Sequence, residues 1–214
     1  MIKKVTIYGE RCSGTNYLEE LLVSNFDVTI TWEYGRKHFF GFNDLKNSND
    51  TLFIGIIRNP YDWLNSLYRD QHHLPHNFKD ITNFLNSEFY SLNENNKEFM
   101  TDRNIYTKER YKNIFDMRYT KIRFLTEDMP KLVKNYILIK YEDLINNFNI
   151  TINKIRSKGL RIRRGIYRPL NILHYKKEKD KQFVKNQRVN HISKEEIIDK
   201  LDMHYEKSIL DYDI

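Results

Sequence analysis

Cysteine is almost absent from this sequence of 214 residues, and its scarcity excludes several classes of protein. Cys12 is the only cysteine, so the chain cannot form an internal disulfide. No cluster of cysteine and histidine has the spacing of a zinc site. A lone cysteine also fits a reducing compartment.

Long hydrophobic runs are missing as well. The apolar run nearest the start, residues 5–8, is too short for the core of a signal peptide or for a membrane span. We therefore expect a soluble, cytoplasmic protein. The length suits one well-filled α/β unit, so we expect residues 1–214 to form a single domain.

Positive charge predominates, with 36 Lys and Arg residues against 29 Asp and Glu residues. A basic balance favours anionic partners, among them nucleotides, sulfated sugars, nucleic acid and acidic surfaces. The sign of the charge alone does not choose among these partners.

Strands and helices are predicted to alternate along the chain. Residues 4–8 form a short buried strand that ends at Gly9, and leucines then recur with helical spacing. Residues 51–57 are typical of a central parallel strand, and Asn59 and Pro60 then provide a helix cap and a first helical residue. The remaining segments are a weak strand at 27–32, helices near 81–92, 106–125 and 143–158, a strand at 136–141, an irregular Arg-rich region at 160–181 and a last helix with Ile197, Ile198 and Leu201.

This alternation predicts an α/β fold with a mainly parallel central β-sheet flanked by helices. In such sheets ligands bind beyond the carboxyl ends of the strands. Gly9 and Arg58 both follow predicted strands, so we expect the functional site at these two points.

The loop Gly9-Glu10-Arg11-Cys12-Ser13-Gly14-Thr15-Asn16 joins the first strand to the first helix. Its backbone amides and the helix N-terminus would face an anion. The spacing of Gly9 and Gly14 is that of a Walker A loop, but Thr15 stands where that motif has its lysine. An ordinary ATP-using enzyme is thereby disfavoured, and the alternative is a tight turn that binds nothing.

Arg58 and Ser66 form a second constellation, with Arg58 at a strand tip and Ser66 about two turns into the next helix. A guanidinium fork and a hydroxyl so placed can share one phosphate. The alternative for Arg58 is an ion pair with a carboxylate across the sheet end.

Together these motifs resemble the PAPS-dependent sulfotransferases, in which PAPS is 3′-phosphoadenosine-5′-phosphosulfate. The segment Arg11-Cys12-Ser13-Gly14-Thr15-Asn16 is similar to the family's 5′-phosphosulfate loop, and Arg58-Asn59-Pro60 followed by Ser66 is similar to its 3′-phosphate motif. Tyr141-Glu142-Asp143-Leu144 resembles the family's Y-E-D-L segment, whose tyrosine lies near the adenine. The resemblance covers residues 3–150.

The resemblance implies a fold related to nucleotide kinases, no metal, PAPS as the donor and 3′-phosphoadenosine 5′-phosphate (PAP) as the product. The acceptor would be a small molecule or a glycan with a hydroxyl or amine, and nucleic acid is not expected as a partner. The residues that the family pattern assigns to the donor are Arg11, Cys12, Ser13, Gly14, Thr15, Asn16, Arg58, Ser66 and Tyr141.

One departure from the family pattern concerns charge, because many members have lysine where this chain has Cys12. Arg11 is the available cation, and we predict a catalytic role for it in stabilising the leaving phosphate. Cys12 itself could be a nucleophile near a helix N-terminus. A cysteine phosphatase needs arginine six positions later, where this chain has Leu18, so we interpret Cys12 as a packing residue.

His38 is the predicted catalytic base, because the family often carries a K-x-H or K-H segment at this stage and Lys37-His38 matches it. The alternative is a partly buried histidine on an aromatic face. His72, His73 and His76 form a second group that could line the acceptor pocket or lie in an exposed polar loop.

A basic stretch near the C-terminal third faintly resembles the family's R-K-G loop, but a solvated face or an anionic acceptor groove explains it better. Its members are Arg156, Lys158, Arg161, Arg163, Arg164 and Arg168. Two other functions stay open from the sequence: a P-loop nucleotide kinase or NTPase, and a non-catalytic nucleic-acid-binding module built on these charges.

Overall fold

The computed structural model describes residues 2–40, 44–75, 78–173, 181–182 and 189–214. Its strands are β1 (Lys4–Tyr8), β2 (Thr29–Ile30), β3 (Gly35–Arg36), β4 (Phe39–Phe40), β5 (Thr51–Ile57), β6 (Tyr136–Lys140), β7 (Ile172–Leu173) and β8 (Lys181–Gln182). Its α-helices are α1 (Thr15–Asn25), α2 (Pro60–Arg69), α3 (Ile81–Asn86), α4 (Ile114–Arg123), α5 (Met129–Leu132), α6 (Tyr141–Asn146), α7 (Phe148–Arg156) and α8 (Glu195–Ile198). A 3₁₀ turn lies at Met100–Asp102, and π-helical stretches lie at Phe124–Asp128 and His204–Ile209.

A four-stranded sheet in the order β2-β1-β5-β6 forms the centre, and each of its pairings is parallel. Every residue of β5 is buried, as expected for an apolar strand paired on both sides. The register sets Ile7 beside Ile54 and Ile54 beside Ile137. The predicted α/β fold with a mostly parallel central sheet flanked by helices is confirmed.

Helices cover both faces of this sheet. On one face, apolar side chains of β1, β5 and β6 pack against α1 and α7 through residues such as Leu18, Leu21 and Ile155. On the other face, Tyr8 and Phe53 pack against Ile122 and Leu125 at the end of α4 and the stretch that follows it. This coverage explains why the strands read as continuous apolar runs rather than as alternating ones.

The start of α2 follows the predicted chemistry. The Asn59 side chain accepts hydrogen bonds from the backbone N–H groups of Tyr61 and Asp62, and Pro60 is the first helical residue. Helix α1 begins differently, because Gly14 precedes it in a left-handed conformation and gives no side-chain cap. The first N–H groups of α1 have no acceptor within the helix itself.

Several predicted boundaries are wrong. The helix predicted at 81–92 ends at Asn86, and the one predicted from 106 begins only at Ile114, because Asn113 caps it and Lys108 takes a left-handed φ of 66°. The helix predicted at 143–158 is two helices that meet at Asn147. The strand predicted at 27–32 has two residues, and the last helix keeps four before a turn. Within the described residues, no helix combines the length and the apolar character needed to cross a bilayer.

Candidate functional site

The β1–α1 loop, residues 9–14, has its carbonyl groups bound internally. Three successive carbonyls accept hydrogen bonds. Glu10 O accepts from Ser13 N–H (3.1 Å), Arg11 O from Trp63 Nε1–H (3.0 Å) and Cys12 O from Arg58 Nη1–H (2.9 Å). Acceptor groups of the loop are thus satisfied from inside the fold. The N–H groups at the start of α1 remain to meet an anion.

Two left-handed residues shape this loop, Cys12 with φ 63° and Gly14 with φ 91°. The ring of Tyr141 lies directly on Gly14, since a Cβ atom there would stand 2.8 Å from Tyr141 Cε2. Gly9 is equally confined, because its Cβ would stand 2.7 Å from the carbonyl oxygen of Ile56. Both glycines of the motif therefore allow another group to approach the backbone closely.

Arg58, Ser66 and Tyr141 lie around the same loop. Arg58 leaves the end of β5, binds the Cys12 carbonyl and stacks on the Tyr141 ring at 4.7 Å. The Ser66 hydroxyl lies close to the Cys12 thiol. Arg58 Nε is buried and has no hydrogen-bond partner among the described residues. A donor that is buried and unpaired in this way is available to an anionic ligand.

Cys12 is a buried packing residue in this arrangement. Burial raises the pKa of its thiol to about 11, so the thiol is neutral at pH 7. A reactive cysteine would need the opposite shift. The geometry gives no support to Cys12 as a nucleophile.

The side chain of Arg11 lies behind the loop, and the residue is 5% exposed. Its guanidinium donates to His72 O at 3.2 Å, lies 3.4 Å from Asp102 Oδ2 and stacks over the Phe89 ring. Glu10 is a second carboxylate nearby, with its Oε2 3.7 Å from the same guanidinium. The charge of Arg11 is therefore compensated internally, and its predicted contact with the leaving phosphate stays a prediction.

Lys37 and His38 form hydrogen bonds with Gly9 at the start of the loop. Gly9 N–H donates to Lys37 O at 2.9 Å, and His38 Nδ1 lies 2.7 Å from Gly9 O. A carbonyl can only accept, so Nδ1 carries the proton and the lone pair of the neutral ring lies on Nε2. Burial lowers the pKa of His38 to about 4, which keeps the ring neutral at pH 7. Lys37 Nζ contacts Asn16 and, at 3.0 Å, Glu19 in α1.

Sequence reasoning missed Lys121, which lies behind this loop and binds both its acidic residue and the predicted base. Lys121 Nζ donates to Glu10 Oε1 at 2.8 Å, to His38 O at 2.9 Å and to Asp102 Oδ1 at 2.6 Å. Burial disfavours the charge on Glu10, but Lys121 and Arg11 outweigh it and hold the pKa of Glu10 below its usual value. No local signal reveals this group, because its members are distant in sequence.

His72 and His73 lie on the Arg11 side. His72 offers its carbonyl to Arg11, its ring is 3.8 Å from that of His73, and His73 Nδ1 is 2.9 Å from Leu92 O. Burial lowers the pKa of His73. His76 lies outside the described residues.

The basic stretch is an exposed surface. All six of its predicted members are exposed, and the chain there runs along α1. Arg163 Nη1 donates to Val23 O, Asn25 Nδ2 donates to Leu170 O, and Tyr17 donates to Asn171 near the start of α1. The solvated-face interpretation agrees with this exposure.

Two cavities differ in their relation to the loop. One of about 360 Å³ lies at the amino ends of β1 and β2, lined by residues such as Lys3, Thr29 and Arg161, away from the carboxyl ends of the strands. The other, about 20 Å³, lies behind the loop between Glu10, Ser13 and Lys121, and is large enough for one water molecule. In the described part of the chain, no group of three or more His, Cys, Asp or Glu residues could hold a metal ion.

Comparison with solved structures shows a likeness of fold. No family model matches the chain, and no curated protein matches it. The structure is similar to that of mouse sulfotransferase SULT7A1 complexed with PAP, with 16% sequence identity and a TM-score of 0.41. The match covers 73% of this chain and 57% of the mouse chain, so this protein spans little more than half of that length. The likeness concerns the fold alone.

Replacing Gly14 with alanine tests whether the Tyr141 contact constrains the loop. Gly165→Ala is the matched control, because Gly165 also has a positive φ, 87°, but no atom lies within 4 Å of the position that a Cβ would take there. Backbone strain costs either variant about 1 kcal/mol. We expect Gly14→Ala to lose a further ~1–3 kcal/mol in urea denaturation through overpacking against the ring.

When Gly14→Ala is made in a protein that already carries Tyr141→Ala, most of that further loss of unfolding free energy should disappear. Equal destabilisation of Gly14→Ala and Gly165→Ala would contradict the close approach of Tyr141 to the loop.

The lowered pKa of His38 predicts a dependence of stability on pH. Between pH 6.5 and 4 the unfolded chain binds a proton at His38 that the folded protein does not, so stability falls as the pH falls. We expect wild type to lose about 2 kcal/mol more than His38→Gln between pH 7 and pH 4.5. Glutamine retains an N–H donor for the Gly9 carbonyl. Urea denaturation of both proteins at the two pH values measures the difference, and parallel losses would show that His38 titrates normally.

Proposed function

We propose that this protein transfers a sulfuryl group from PAPS to a hydroxyl or amine of a small-molecule or glycan acceptor. The observation that carries the proposal is the meeting of Arg58, Ser66 and Tyr141 at a loop whose carbonyls are bound internally. Such a loop offers hydrogen-bond donors and few acceptors, as a site for a nucleotide with two anionic groups must.

The residues present fit the donor. The Ser13 N–H is bound to Glu10 O, and the other loop N–H groups from Cys12 to Asn16 would hold the 5′-phosphosulfate, supported by the dipole of α1. Arg58 and Ser66 would hold the 3′-phosphate, for which the buried and unpartnered Nε of Arg58 is a suitable donor. Tyr141 would lie beside the adenine. The contact of Tyr141 with Gly14 and Arg58 would join the two phosphate subsites to the base.

The transfer itself needs few groups. PAPS supplies the sulfuryl group. The bond from sulfur to the 5′-phosphate oxygen breaks as the bond from sulfur to the acceptor oxygen forms, and PAP departs. His38, neutral at pH 7, would take the proton of the acceptor hydroxyl on Nε2. Negative charge on the departing phosphate would be stabilised by the loop N–H groups.

Arg11 has a supporting role in this proposal. Its ion pairs with Asp102 and Glu10 fix the segment from which the loop amides project. Lys37 is another cation near the loop, since it contacts Asn16 in the first turn of α1 and pairs with Glu19 at 3.0 Å. We propose Lys37 rather than Arg11 as the side chain that meets the phosphosulfate.

Binding of PAP against AMP tests the donor assignment, because the two nucleotides differ only in the 3′-phosphate. We expect PAP to raise the unfolding free energy by about 2.7 kcal/mol at a hundredfold excess over its Kd, and AMP to do so much less. Arg58→Lys keeps the charge but loses the planar fork, and should weaken PAP about ten- to a hundredfold while AMP changes little. Arg123→Ala, on an exposed part of α4, is the control.

Two outcomes of this experiment would contradict the proposal. Equal affinity for PAP and AMP would show that the protein has no subsite for the 3′-phosphate. Tighter binding of ATP with magnesium than of PAP would favour a nucleotide kinase instead.

Turnover of His38→Gln tests the base. Wild type and variant are incubated with PAPS and a panel of phenols, saccharides, tyrosyl peptides and amines, and the release of PAP is measured. We expect the variant to be slower by about 10²–10⁴-fold with an unchanged Kd for PAP, since general base catalysis is lost but donor binding is not. Full activity of the variant would exclude His38 as the base.

A further inference from the structure

Lys121 joins three separate segments of the chain through one ammonium group. It is 4% exposed in α4, and its hydrogen bonds reach Glu10 in the β1–α1 loop, the His38 carbonyl and Asp102 in the 3₁₀ turn. An ammonium group has three N–H donors, enough to serve all three of these acceptors. The acceptors belong to the donor-binding loop, to the predicted base and to the segment that faces Arg11.

His38 is thereby held at two points. Its ring is bound to Gly9 O through Nδ1, and its own carbonyl is bound to Lys121. The first bond sets which ring nitrogen carries the proton, and the second limits the movement of the backbone that bears the ring. Both bonds lead back to residues 9 and 10 of the loop, because Lys121 also binds Glu10.

We propose that Lys121 is a positioning residue, which holds His38 at a fixed distance from the β1–α1 loop and couples both to the segment that carries Asp102. The inference rests on the proposed function and deepens it, because it names the residue that places the base relative to the donor. Lys121 acts through backbone and carboxylate groups and does not touch the reacting atoms.

The charges around Lys121 explain why a lysine is needed. Glu10 and Asp102 are both buried and have two buried cations in contact, Lys121 and Arg11. Arg11 lies 3.4 Å from Asp102 and 3.7 Å from Glu10, whereas Lys121 lies within 2.8 Å of each. Loss of Lys121 alone would leave a buried carboxylate without its closest partner. The charged groups that act on the pKa of His38 include Glu10, which raises it, and Arg11 and Lys37, which lower it.

The test uses a variant in which the lost charge is balanced. Lys121→Met with Glu10→Gln removes one cation and one anion together, and Glu10→Gln alone is the control, since its amide oxygen can still accept from Lys121. Nitrogen-detected NMR of the histidine side chains reports the tautomer and the pKa of His38, which is assigned by comparison with His38→Gln. This readout requires neither PAPS nor an acceptor.

We expect the folded double variant to lose the fixed Nδ1–H tautomer and its His38 pKa to rise by about one pH unit or more, as the ring gains access to water. Glu10→Gln should keep the wild-type tautomer, and the pKa of His38 should fall rather than rise, because the Glu10 charge raises that pKa. In turnover, kcat should fall at least about tenfold while the Kd for PAP changes less than about threefold. A folded double variant with a wild-type His38 tautomer and pKa would overturn the proposal.

Lys121→Arg keeps the test decisive if the double variant does not fold. A planar guanidinium cannot reproduce three donors that diverge from one nitrogen, so the His38 signals should still shift. Unchanged His38 signals in Lys121→Arg would also overturn the proposal. If PAP does not bind but the His38 signals shift as expected, the positioning role holds and only the proposed function fails.

Discussion

Four buried charges behind the β1–α1 loop impose the strictest constraint on the structure. Glu10, Arg11, Asp102 and Lys121 are each at most 9% exposed, and each contacts a charge of opposite sign. Buried charges are tolerated when they are paired, so the elements that carry them cannot separate without a large cost. The loop, the 3₁₀ turn and α4 are therefore fixed to one another. Glu10 and Arg11 fix the loop from behind.

The same group determines the electrostatics of the loop. The formal charges of the two carboxylates and the two cations sum to zero, so Arg11 adds little field on the ligand side. Cys12 adds none, because its buried thiol is neutral. Attraction for an anion would then come from the N–H groups of the loop and of α1, from Arg58 and from Lys37. A site of this kind depends on backbone geometry more than on one loop cation.

The parts of the fold predicted from sequence rest on local signals. β5 matches the prediction at Thr51–Ile57 because its apolar run is unbroken, and α2 begins as predicted because Asn59 and Pro60 act on their immediate neighbours. The helix boundary at Ile114 escapes prediction, since the turn before it depends on the left-handed Lys108 and on hydrogen bonds of Asn104. Such turns are set by the segments around them, which periodicity does not describe.

The candidate site divides in the same way. Arg58 could be placed beside the loop in advance, because β1 and β5 are adjacent parallel strands and their carboxyl ends meet at one edge of the sheet. The partner of Arg11 could not, because Asp102 is 91 residues away, and Lys121 is 111 residues from Glu10. A motif shows where a cation stands in the sequence but not which anion neutralises it. The sequence pattern therefore predicts Arg11 as the free charge of the loop, whereas long-range packing assigns that charge to the buried group.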